Sequence, residues 1–215
     1  MFGLAGMDEI LQLSHIFEEK DVDIETYKKH IMGILFYALL SLKQEKFIND
    51  EFGEENLLFE EAYENEEMKK KLMVKSLHEL GYFIKPDDTF RSIINSIRDG
   101  TFSLDLLNDK LNNINNSFYW KHPNKKANVF NMVDWSNPYD NLNTKEQTEL
   151  TRELVLKISE NKYLDSNLTS FIFRLYNEFE HIQHDFHYIN SYHINKLLYK
   201  LIRCNGKIYD KVYDA

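Results

Sequence analysis

The chain is poor in the two residues that make tight turns. Its 215 residues hold 7 Gly and 3 Pro, under half the typical usage of roughly 7% and 5%. A sandwich or barrel of this length needs a turn every 8–12 residues or so, and these residues cannot supply them. A hydrophobic share of 43%, with 15 Phe and 13 Tyr, is ample for a core and argues against disorder. The length predicts one compact body, with room for an appendage. The expected class is mainly α.

Helical spacing recurs along the chain. Ile10, Leu13 and Phe17 share one face of a short first helix. Tyr27, Ile31, Ile34, Leu35, Leu39 and Leu42 form a wide stripe, apolar enough for a helix at the centre of the core. Leu72, Met73, Leu77 and Leu80 follow, closed by Gly81. Phe90, Ile93, Ile94 and Ile97 lie between Pro86-Asp87-Asp88 and Gly100. Leu104, Leu107, Leu111 and Ile114 come after Ser103, an N-cap residue type. The spacing lapses from Asn112 to Asn143, a stretch rich in Asn that holds Pro123 and Pro138, so an irregular connection is expected. Thr144 and Gln147 then have capping-box spacing ahead of Leu150, Leu154 and Ile158. Two further helices are expected, one through Leu168, Phe171, Ile172, Leu175 and Phe179, the other through Ile194, Leu197, Leu198, Leu201 and Ile202. Ile208 to Ala215 reads as short strand, with no partner strand elsewhere.

The formal charge is -9. An acidic chain repels a polyanion at long range, so any nucleic-acid contact needs a local basic patch or a basic partner. The lone Cys204 excludes an internal disulfide framework and fits a reducing compartment. Ile31 to Leu40, the most apolar stretch, is half the roughly 20 residues of a membrane span. Met1 to Leu13 carries acids and lacks a basic leader. A cytoplasmic location is expected.

Three segments carry a resemblance. The run Tyr27-Lys28-Lys29-His30-Ile31-Met32-Gly33-Ile34-Leu35-Phe36-Tyr37-Ala38-Leu39-Leu40-Ser41 is similar to the second helix of the N-terminal helical domain in the modification (M) subunit of type I restriction-modification systems. Leu80-Gly81-Tyr82-Phe83-Ile84-Lys85-Pro86, followed by Phe90 and Ile93-Ile94, resembles the same domain. So, less closely, does Val129-Phe130 to Leu142 leading into Glu146 to Ile158. The resemblance covers about Ile10 to Phe179. It implies a helical M-subunit-like domain over residues 1–180, and over 181–215 a helix and short strand that look like the truncated start of an α/β methyltransferase domain.

Past Phe179 the likeness thins. Where the family has Phe-Tyr-Thr-Pro, this sequence reads Tyr188-Ile189-Asn190-Ser191. The strand that in the family ends in a glycine-rich turn for S-adenosylmethionine begins here as Val212-Tyr213-Asp214, so Asp214 marks an interrupted motif. The family's Asn-Pro-Pro-Phe/Tyr motif, which holds the target adenine, lies beyond that strand. Asn137-Pro138-Tyr139-Asp140 lacks the second Pro and precedes the strand, so it reads as an Asn-Pro turn.

Other candidates have plain competitors. His181, His184, His187 and His193 beside Glu178, Glu180 and Asp185 invite a metal, but ligands at i, i+3, i+6 drift around a helix and known zinc spacings are not met. A polar helix end explains them as well, and no metal site is assigned. Asp50 to Glu67 holds nine acids and no Lys or Arg, which favours a solvated face over paired catalytic carboxylates or a surface that docks a basic partner. Trp120, Lys121, Lys125 and Lys126 are the best candidates for DNA contact, combining charge with a stacking surface.

The resemblance therefore implies a DNA-binding and assembly domain of an adenine-N6 DNA methyltransferase. Its partners would be the specificity (S) subunit, other modification and restriction subunits, and duplex DNA. The full family protein uses S-adenosylmethionine; this chain, interrupted before the catalytic motifs, is expected to bind no cofactor, to hold no catalytic residue and not to methylate DNA alone. A stand-alone interference or regulatory protein of such a system is the alternative, and an unrelated histidine-based metal protein a second.

Overall fold

The computed structural model describes residues 17, 19–52, 59–118, 130 and 133–160. Among them are six α-helices and no strand. The helices are α1 (Ile24–Phe52), α2 (Phe59–Glu64), α3 (Glu66–Glu79), α4 (Phe90–Arg98), α5 (Leu104–Ser117) and α6 (Thr144–Ser159). A single 3-10 turn, Pro86–Asp88, precedes α4. None of the described helices is long and apolar enough to cross a membrane.

Helix α1, 29 residues and about 43 Å long, is the axis of the fold. From Tyr27 to Ser41 every residue is buried except Lys29 and Met32, so this half is enclosed on all sides, more than the wide stripe expected. It packs against α4 and α6, which also touch each other. Ile31, Ile34, Leu35 and Leu39 meet Ile93, Leu107, Leu111, Leu154 and Ile158 in the main core. Toward its C-terminus α1 turns amphipathic. Ile48 and Phe52 join Ala62, Leu72 and Phe83 in a smaller core under α2 and α3.

Helix ends follow the local chemistry. Asn65, Thr89 and Ser103 each accept a hydrogen bond from a backbone N–H of the helix they open. Gly81 and Gly100, at φ +81° and +73°, take the left-handed conformation that stops α3 and α4. Two sequence expectations shift. Helix α5 runs to Ser117, because Ile114 is still buried and continues its stripe. Helix α6 is capped one residue earlier than expected: Asn143 and Glu146 form the capping box, while Gln147 turns into the core at 3% exposure.

The second resemblance segment is fastened to the first by polar side chains on one face of α1. The Tyr37 hydroxyl lies 2.8 Å from the carbonyl oxygens of both Asp88 and Thr89. Ser41 Oγ accepts from Phe90 N–H at 2.8 Å. The Gln44 amide bonds both backbone groups of Ile84, accepting from its N–H at 2.6 Å and donating to its carbonyl. Tyr82 answers by donating to Leu40 O at 3.0 Å. The non-helical stretch between α3 and α4 would otherwise bury bare backbone groups.

Candidate functional site

Residues 133–143 form a strap across the N-terminal half of α1, in a series of turns rather than a regular element. Its anchor is Trp135, whose indole N–H donates to Phe130 O at 2.8 Å. The ring lies against Gly33: a Cβ there would sit 2.5 Å from Trp135 Cζ2. A mid-helix Gly is unfavourable by about 1 kcal/mol relative to Ala, and here it opens the notch that the indole fills. Gln147 holds the end of the strap, donating to Asn137 Oδ1 at 2.7 Å and Leu142 O at 2.8 Å. Asn141 Nδ2 ties it to Lys20 O and Asp21 O at 3.1 and 3.0 Å.

Beneath the strap lies His30. Its ring centroid is 4.5 Å from that of Tyr139 and 5.3 Å from that of Trp135, the latter edge-on. Phe17 continues the stack, 5.7 Å from Tyr139 and 5.4 Å from Tyr27. Nδ1 of His30 is 2.6 Å from Thr26 O. A carbonyl only accepts, so Nδ1 carries the proton and Nε2 presents a bare lone pair. Nε2 is buried with no hydrogen-bond partner among the described residues. Burial pulls the imidazole down to about 4, against the Thr26 bond that favours protonation.

Beside this cage opens a groove of about 530 Å³, lined among others by His30, Lys29, Asp21, Asp23, Asp134 and Asp140. The Asp134 carboxyl is held below its ordinary value by hydrogen bonds from the Ser136 hydroxyl and N–H, at 2.6 and 3.1 Å. A second groove of about 690 Å³ runs along the outer face of α6 and mixes Lys145, Arg152 and Lys157 with Glu146, Glu149 and Glu153.

The Asn137-Pro138-Tyr139-Asp140 segment is a structural turn. Both ends of the Asn137 amide are taken, one by Gln147 and one by Asp140 Oδ1 at 2.9 Å. Tyr139 is 1% exposed, so its ring is not free to stack on a base. The acidic run, where described, is exposed at Asp50, Glu51, Glu60, Glu61, Glu64, Glu66 and Glu67, with Glu51 paired to Lys75 and Glu66 to Lys69. Among the described residues no three His, Cys, Asp or Glu side chains are grouped to hold a metal ion. Trp120, Lys121, Lys125 and Lys126, the histidines from His181 onward, Cys204 and Asp214 lie outside the described residues. In the sequence the cage leaves only faint marks: His30 falls on the Tyr27–Ile31–Ile34 face, and Gly33 interrupts a strong helix.

No protein-family model matches the chain, and no curated protein matches it. Among solved structures it is similar to the type I restriction-modification system methyltransferase subunit from Streptococcus thermophilus, with a TM-score of 0.67 and 21% identity. The match covers 81% of this chain and 38% of that subunit. The chain shares the fold of part of a type I restriction-modification methyltransferase subunit.

Proposed function

We propose that the chain is a binding and assembly module, the helical part of a type I modification subunit, which packs on a specificity subunit and helps to enclose duplex DNA. The observation that carries this reading is the likeness in fold over 81% of this chain to a methyltransferase subunit of that system. Consistent with it, the three sequence segments that resemble the modification subunit pack on one another through Tyr37, Ser41 and Trp135. Adenine-N6 transfer and S-adenosylmethionine binding belong, in this proposal, to parts of such a subunit other than this module. With a charge of -9, DNA contact would fall to the partner and to Trp120, Lys121, Lys125 and Lys126.

Co-expression with a type I specificity subunit tests the proposal. Co-elution on size exclusion is the expected result, and no complex at micromolar concentrations would refute it. DNA binding by that complex is then measured against salt. Replacing Lys121, Lys125 and Lys126 by Ala should flatten the slope by up to about 3, roughly one for each phosphate that loses its lysine. An unchanged slope would remove the loop from the DNA interface while leaving assembly standing.

A further inference from the structure

We propose that His30 is a proton-operated catch on the strap: neutral, it is held between Trp135 and Tyr139 and keeps residues 133–143 closed over α1; protonated, it swings toward the acidic groove and releases them. This role goes beyond assembly and stands on the geometry of the cage. The imidazole is 2% exposed, and its only hydrogen bond among the described residues uses Nδ1. A proton on Nε2 would place a charged N–H in an aromatic pocket with nothing to accept it.

The surroundings give the charged ring a destination. From the segment before α1 the groove receives Asp21 and Asp23; from the strap, Asp134, Asp140 and the buried phenol of Tyr139; from α1, Lys29. Four carboxylates face one ammonium, so an imidazolium in the groove is stabilised and one in the cage is not. Asp23 already favours the protonated form and Lys29 opposes it, but desolvation exceeds both. The caged ring is held down to about 4, well below its ordinary 6.5, by burial, so release needs acid. Departure of the ring leaves Tyr139 and Trp135 without their shared neighbour, and the strap loses its central packing while Gln147, Asn141 and the Trp135 bond to Phe130 O still tether it.

The test uses the full chain carrying Trp120→Phe, which leaves Trp135 as the single Trp. From neutral pH to about 4, the emission of Trp135 should move to the red and its quenching by acrylamide should rise, while far-UV circular dichroism holds constant. In the added His30→Phe variant, which keeps a ring but takes no proton, both changes should be absent. The same change in His30→Phe, or loss of helix at the same pH as the emission change, would overturn the proposal. Histidine nitrogen NMR on the His30-containing chain decides the matter even if that variant fails to fold. The Nδ1–H tautomer and a titration midpoint coincident with Trp135 exposure are expected; an Nε2–H tautomer or separated midpoints would overturn it.

Discussion

The indole of Trp135 occupies the space that a side chain on Gly33 would need, with Cζ2 only 2.5 Å from the position of a Cβ. Gly33 lies inside α1, and Trp135 lies more than a hundred residues further along the chain. Each explains the other.

Gly33→Ala should therefore destabilise the fold. Ala gains about 1 kcal/mol in helix propensity, but displacing a packed indole costs roughly 1–3 kcal/mol or more. A net loss of up to about 2 kcal/mol is expected by urea unfolding. In a Trp135→Leu background the same substitution should become neutral or stabilising. Additive effects of the two changes would show that the contact carries no energy.

Gln44→Leu keeps much of the side-chain volume but strips both hydrogen bonds from the buried backbone of Ile84. Each orphaned group costs about 1–3 kcal/mol, so a loss of about 2–6 kcal/mol is expected. The urea midpoint should fall with an unchanged m-value. Wild-type stability in this variant would mean that Ile84 finds other partners.

Acid should weaken the fold through His30. The unfolded imidazole titrates near 6.5 and the folded one near 4, so between these values the unfolded chain holds a proton that the folded chain lacks. This contribution is fully present above the unfolded value and is lost as pH falls toward the folded one, by up to about 3 kcal/mol. Between neutrality and about pH 5 the wild type should lose about 1–2 kcal/mol more than His30→Phe. Equal losses in the two proteins would place the acid sensitivity elsewhere.

The cap of α6 offers a sharper check of register. Asn143 accepts from the N–H groups of Lys145 and Glu146, each at 3.1 Å, so Asn143→Ala should cost about 1 kcal/mol. Thr144→Ala, at the first helical residue, should change stability by less than about 0.5 kcal/mol. The reverse order would restore the Thr144 cap that sequence spacing suggests.

The helices and their buried faces are written in the local order of residues. Leu104, Leu107, Leu111 and Ile114 announce α5, and Leu150, Leu154 and Ile158 announce α6, because helical periodicity is a local property of the chain. The resemblance to a modification subunit was also legible, since its segments carry their own residue patterns. What the polar residues inside those patterns do was settled only by tertiary packing. Gln44, His30 and Gln147 look interchangeable with surface residues until distant backbone and rings surround them. Asn137-Pro138-Tyr139-Asp140 reads as an Asn-Pro turn from sequence alone, but that Gln147 holds Asn137 and that Tyr139 covers His30 comes only from the packing. Hydrogen bonds and close packing between residues far apart in the chain leave no periodic trace in sequence, so only the folded arrangement reveals them.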